Sequence, residues 1–160
     1  MSPFRPDLVA CWLFRLDAAG RPEILLIRRA PGRLYPGLWQ CVTGKLEPDE
    51  RVVDGALREV AEETGLTATD LEGVFETDIV NWFHESSADA IWCEAVFAAQ
   101  VRHGRRIRLS HEHNDHRWLS PDAATALVVW PAYERAIEQV VWLADHPDKA
   151  AHYRLVDSNS

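Results

Sequence analysis

With 160 residues, 47% of them hydrophobic and seven of them tryptophan, the chain suits one domain with a full apolar core. Seventeen basic against 25 acidic residues leave a net charge of −8, which argues against a surface that tracks nucleic acid or anionic membrane with clustered Lys and Arg. A small, metal-chelated anion such as a free nucleotide suits this balance, and no apolar run approaches membrane-spanning length.

The first seven residues lack the apolar stretch of a secretory leader. Cys11, Cys41 and Cys93 are odd in number, widely spaced and set in apolar runs, which reads as buried thiols in a reducing, cytoplasmic setting. Residues 8–14 form an apolar strand, 17–22 a turn, and 23–27 a second strand of a hairpin closed by Arg28 and Arg29. Two guanidinium groups there either clamp phosphate or stay solvated. Pro and Gly make 30–37 a loop, and 38–43 reads as a strand delivering Gly44.

Next comes a loop that opens a helix. Pro48 and Asp49 suit the helix entry, Gly65 suits its exit, and the helix is expected over 52–64. At 100° per residue Val53, Ala56, Leu57, Val60 and Ala61 form an apolar stripe facing the core. Glu59, Glu62 and Glu63 gather on another face, expected to be exposed. Such neighbours have Cβ atoms about 5–6 Å apart and repel unless something positive binds them. A hard divalent cation with oxygen ligands, Mg²⁺ or Mn²⁺, is the natural partner, although a solvated helix face can carry the same pattern.

Downstream, 72–80 and 88–101 have the β-branched and aromatic content of strands joined around 83–87. A turn follows at 103–106 and a short extension at 107–109. Residues 111–116 place three histidines and two carboxylates together, and read as an exposed polar loop rather than a zinc site. Trp118 and Leu119 close a last strand, Ser120 caps a short helix with Pro121 at its first position, and 131–144 is an amphipathic helix. The expected division is a domain over 1–147 and a polar tail over 148–160. A mixed sheet is expected, with the first helix on one face and the last on the other.

Gly44, five residues, Glu50, seven residues, then Arg58-Glu59-Val60, Glu62-Glu63 and Gly65-Leu66 together match nine defined positions. Over these 23 of 160 residues the chain resembles the Nudix hydrolase family. The resemblance implies an α/β/α sandwich and metal-dependent attack of water on a nucleoside diphosphate linked to a group X. It implies that Glu59, Glu62, Glu63 and the Gly44 carbonyl hold Mg²⁺ or Mn²⁺, with Glu62 and Glu63 catalytic. It also implies a structural pair between Glu50 and Arg58. Eight helical residues would separate those two by about 12 Å, so Glu50 must fold back from the loop. Family members bring one further carboxylate from a downstream loop, as metal ligand or base. Glu112 is the choice for it, with Glu94, Glu76 and Asp78 as rivals.

Residues 39–44, 112–119 and 130–139 are similar to the dihydroneopterin triphosphate pyrophosphohydrolase branch of that family. This implies cleavage of a pteridine triphosphate to monophosphate and pyrophosphate, an early folate-pathway step. Val42-Thr43-Gly44 departs from the Pro-Gly-Gly of many members. Phe83 stands where diadenosine tetraphosphate hydrolases tend to carry Tyr, and Asn81 where ADP-ribose hydrolases tend to carry Pro. Arg28, Arg29, Trp39 and Phe83 are the expected substrate contacts, while Trp82, Trp92 and Trp118 either stack a flat ring or fill core. Three alternatives remain: hydrolysis of other nucleoside diphosphate compounds, a ligand sensor without turnover, and processing of RNA 5′ ends. A sensor would be expected to lose the carboxylates, and an RNA enzyme to need a basic surface. The partner is a small molecule, and the assembly either a monomer or a homodimer.

Overall fold

Strand β1 (Leu8–Leu16) explains the layering of the computed structural model, which describes residues 3–155. Its run from Val9 to Phe14 is buried throughout, and a strand apolar on both sides needs cover on both sides. Val9, Cys11 and Leu13 join one core with Ala56 and Val60 of α1 (Val52–Thr64). Ala10, Trp12 and Phe14 join another under Tyr133, Ala136, Ile137 and Val140 of α3 (Pro131–Asp145). Each large side chain so buried contributes about 1.5–3 kcal/mol, and Trp12 also meets Tyr133 edge-on at 5.1 Å. The result is a helical layer on each side of one mixed sheet, the α/β/α arrangement expected.

Strand β2 (Pro22–Arg29) forms a hairpin with β1 from Phe14↔Ile24 to Leu16↔Pro22. The two strands then part, and two short strands fill the wedge. Of these, β3 (Trp39–Gln40) pairs with β2 and β4 (Val42–Lys45) pairs with β1. On the other side of β1 lies β6 (Ala90–Val101), parallel to it, and then β5 (Leu71–Glu85), antiparallel to β6. The last strand, β7 (His113–Leu119), is antiparallel to β2. Short helix α2 (Pro121–Leu127) has Pro121 in its first turn, and the Ser120 hydroxyl accepts from the Ala123 N–H. A turn of helix, α4 (Pro147–Ala150), ends the described helices. None of them is long and apolar enough to cross a membrane.

Several expectations are corrected. Residues 38–43 are not one strand: the splayed sheet needs a partner for each side of the wedge, so the chain changes partner at Cys41. Strand β5 runs on to Glu85, moving the hairpin turn to 86–89, and a bulge holds Asp78 at φ 59°. Residues 107–109 form no strand. Residues 111–116 are not an exposed loop, because from His113 onward they supply the partner that β2 requires; one face of that strand is polar, and His113 is buried. The three cysteines are free thiols and buried. Beyond residue 147, Ala150 is buried, and the Glu76 N–H donates to the Tyr153 carbonyl while the Leu155 N–H donates to the Val74 carbonyl, both at 2.9 Å.

Candidate active site

The site forms where β4 passes the middle of α1. Glu50 turns back from the loop, and its carboxylate accepts from Arg58 Nε at 2.8 Å, Arg58 Nη2 at 3.1 Å and the Glu47 N–H at 3.0 Å. Arg58 also donates to the Lys45 carbonyl (2.9 Å) and to Glu59 Oε1 (2.8 Å), and lies 3.4 Å from Glu62 Oε2. One guanidinium therefore ties the entry loop, β4 and two carboxylates of the helix together. The Glu50 carboxyl is held below its ordinary range by those hydrogen bonds, first by Arg58, and the Arg58 guanidinium is held well above its own.

Gly44 is a glycine for a steric reason. A Cβ there would lie 2.1 Å from the Glu59 carboxylate, so only glycine lets that carboxylate rest against β4. Glu63 lies deeper still. The helix is rotated so that Glu63 joins Ala56 and Val60 on the buried side while Ala61 faces solvent, which corrects the expectation of three exposed carboxylates. Only Glu62 is well exposed, at 58%. Glu63 is 4% exposed and takes a hydrogen bond from the Thr43 backbone, yet among the described residues its Oε2 has no partner. Burial, then the charges of Glu59 and Glu112, push the Glu63 carboxyl up to about 8, and burial also raises that of Glu59.

Glu112 faces this pair across a cleft of about 360 Å³ lined by β4, α1 and residues 110–112. Of the four downstream carboxylates considered, Glu112 alone lines the cleft. Glu94 is buried and accepts from Asn81 Nδ2 (3.0 Å) and Thr43 Oγ1 (3.2 Å); Glu76 and Asp78 lie exposed on β5. The Glu112 carboxylate sits 3.4 Å from Arg33, which also contacts His111.

Strand alternation separates the four expected substrate contacts. Arg29 points toward the carboxylates: it donates to the Leu34 carbonyl, lies 3.4 Å from Gln40 Oε1, and opposes the rise of Glu63. Arg28 points to the other face, where it donates to Asn114 at 2.9 Å. Trp39 lies between guanidinium groups, 5.6 Å from Arg28 and 4.7 Å from Arg117, away from the cleft. Phe83 pairs with Trp92 far along the hairpin.

Gln40, His113 and Arg33 were not anticipated. Gln40 bridges Arg29 to His113, whose Nε2 is 3.1 Å from its amide nitrogen. Burial and then the Arg29 charge pull His113 down to about 4, so the ring is neutral at pH 7. A buried polar residue in an apolar strand, as Gln40 is, was the available signal.

The donor set consists of hard carboxylate oxygens with one buried oxygen left without a partner, which fits a divalent cation. Arg58 holds Glu59 and Glu62 in this arrangement, and among the described residues no three His, Cys, Asp or Glu groups are gathered closely enough to hold a metal ion.

Known proteins agree with this architecture. Residues 5–142 match the NUDIX domain. The chain is 32% identical over 128 residues to dihydroneopterin triphosphate diphosphatase of Escherichia coli K12, covering 74% of this chain and 83% of that one. It is 28% identical over 129 residues to nucleoside triphosphatase NudI of Escherichia coli O1:K1, covering 74% and 84%. The structure of the E. coli dihydroneopterin triphosphate pyrophosphohydrolase superposes with a TM-score of 0.72 at 27% identity, over 86% of this chain and 96% of that one. A domain match that spans most of the chain, on this fold and around this carboxylate helix, places the protein in the Nudix hydrolase family.

Proposed function

We propose that the protein cleaves the triphosphate of a pteridine, dihydroneopterin triphosphate first, or of a nucleoside, giving the monophosphate and pyrophosphate with Mg²⁺ or Mn²⁺ in the cleft. The observation that carries this reading is the buried Glu63 carboxylate, with its unpartnered Oε2, grouped with Glu59, Glu62 and Glu112. Likeness to the E. coli diphosphatase across most of the chain supports the pteridine substrate. The three free thiols support a reducing, cytoplasmic setting.

When bound, the cation neutralises phosphate oxygens and lowers the pKa of the attacking water. Glu59, Glu62, Glu63 and the Gly44 carbonyl are the groups that would hold it. Burial and the neighbouring carboxylates hold the Glu63 carboxyl up at about 8, so a cation held there would displace its proton. Glu112, at the cleft's open side, accepts the proton of the water. Arg29 sets positive charge at the phosphate end, and Gln40 and neutral His113 keep it aimed there.

A panel of pteridine and nucleoside triphosphates, ADP-ribose and diadenosine polyphosphates tests this with pyrophosphate release as readout. Dihydroneopterin triphosphate should have the highest kcat/KM, and activity should vanish on chelation of the cation. A tenfold preference, on the order of 1.4 kcal/mol, for ADP-ribose or a diadenosine polyphosphate overturns the substrate reading and leaves the family intact.

A further inference from the structure

Glu94 stands on the opposite side of the sheet from the hydrolytic carboxylates. Ala10 belongs to the core under α3, and its partner in β4 is Thr43. Leu8 lies two residues earlier on that same face, and pairs with Lys45 on one side and Glu94 on the other. Thr43 joins the two sides: its backbone holds Glu63, and its hydroxyl donates to Glu94 at 3.2 Å. Glu94 therefore touches Thr43, which lines the cleft, while pointing away from the metal-binding groups.

Its surroundings resemble a recognition site more than a structural ion pair. Glu94 is 7% exposed, and among the described residues no cation pairs with it. A buried, unpaired carboxylate costs stability, so a folding role alone accounts for it poorly. Asn81 reaches Oε1 at 3.0 Å and Thr43 reaches Oε2, which fixes the plane of the carboxylate and leaves each oxygen with capacity for another donor. One step along the same face of the hairpin Phe83 pairs with Trp92, and Lys45 Nζ lies 5.1 Å from the Trp92 ring. A fixed pair of acceptors and, farther along the hairpin, two aromatic rings thus lie on one face of the sheet, joined to the cleft by Thr43 and Lys45, which line it.

We propose that Glu94 selects the substrate's ring: its two oxygens accept the ring N–H and the adjacent exocyclic amino N–H that guanine and pterin rings share. The ring stacks beside Trp92 and Phe83, and its phosphates pass Lys45 into the cleft. This rests on the triphosphate reading above. Adenine lacks a ring N–H beside its amino group, and hypoxanthine lacks the amino group. Either would leave an acceptor unmatched, and sites built around substrate N–H groups reject such analogues strongly.

GTP and ITP differ only in that amino group, so kcat/KM for the pair is measured on the wild-type protein and on Glu94→Gln. The wild type should favour GTP by about tenfold or more, and Glu94→Gln should bring the two within about twofold, mainly by raising KM for GTP. Equal use of GTP and ITP by the wild type overturns the assignment, as does an equal loss on both in Glu94→Gln. Calorimetric binding of GMP and IMP to the wild type, without turnover, separates this from the reaction. A GMP preference in a protein that releases no pyrophosphate would retain the acceptor pair and reject the triphosphate reading, whereas pyrophosphate release with no preference rejects the acceptor pair alone.

Discussion

Glu63 is where burial and charge compete most sharply. Its carboxyl moves from the ordinary 4.5 to about 8, so the folded protein binds that proton more tightly than the unfolded chain does. The associated stability is fully present below pH 4.5 and is lost as pH rises through about 8. Metal-free Glu63→Gln should therefore gain stability over the wild type between pH 5 and 8.5, by a few kcal/mol at most, read as the difference in melting temperature at the two pH values. A difference that does not change with pH would contradict the burial argument. The same variant should fold and lose turnover. For Glu112→Gln we expect kcat to fall about 10²–10⁴-fold with KM little changed, as for a lost general base. Its side chain is 44% exposed, so melting should not move, and wild-type kcat in this variant would remove Glu112 from the reaction. The residue types of this site were legible from their spacing, but their depth was not. A helical wheel ranks faces by composition, and only the sheet beneath decides that Glu63 turns inward and Ala61 outward.

At the level of elements, the seam between β4 and α1 depends on having no side chain at Gly44. Gly44→Ala would place a methyl where the Glu59 carboxylate lies and force that carboxylate to swing away from β4. We expect little loss of stability, because the displaced group is the end of a flexible side chain, and a clear loss of activity, measured by urea unfolding and pyrophosphate release. Full activity in that variant would show that Glu59 need not rest on β4. Helices α1 and α3 could be read because their apolar periods are strong and Gly65 ends the first in the left-handed region, at φ 74°. Only the end of strand β7, at Trp118 and Leu119, could be read; its first half escaped detection because polar residues dominate it, and the requirement for it comes from β2, more than eighty residues earlier. Alternation also separated Arg28 from Arg29, a distinction that adjacency in sequence hides.

For the whole molecule, the segment after α4 closes the outer edge of β5. Truncation after Ala150 removes the Tyr153 and Leu155 backbone hydrogen bonds, each worth about 0.5–1.5 kcal/mol, and leaves a strand edge open to other chains. A lower melting temperature and concentration-dependent aggregation by light scattering are expected, and an unchanged monomer signal would count against that role. The helical layers on both sides were foreseeable from a strand that is apolar throughout; the order of strands was not, since neighbours in the sheet come from distant parts of the chain. This last property has a kinetic consequence. The parallel partner of β1 is β6, and the neighbouring bond from Cys93 to Asp7 spans 86 residues. During synthesis the most hydrophobic strand therefore emerges early and waits for most of the domain before its side can close. Closing so long a loop before any contact rewards it makes folding slow, and over that interval the nascent β1 is the segment most in need of a chaperone's shelter.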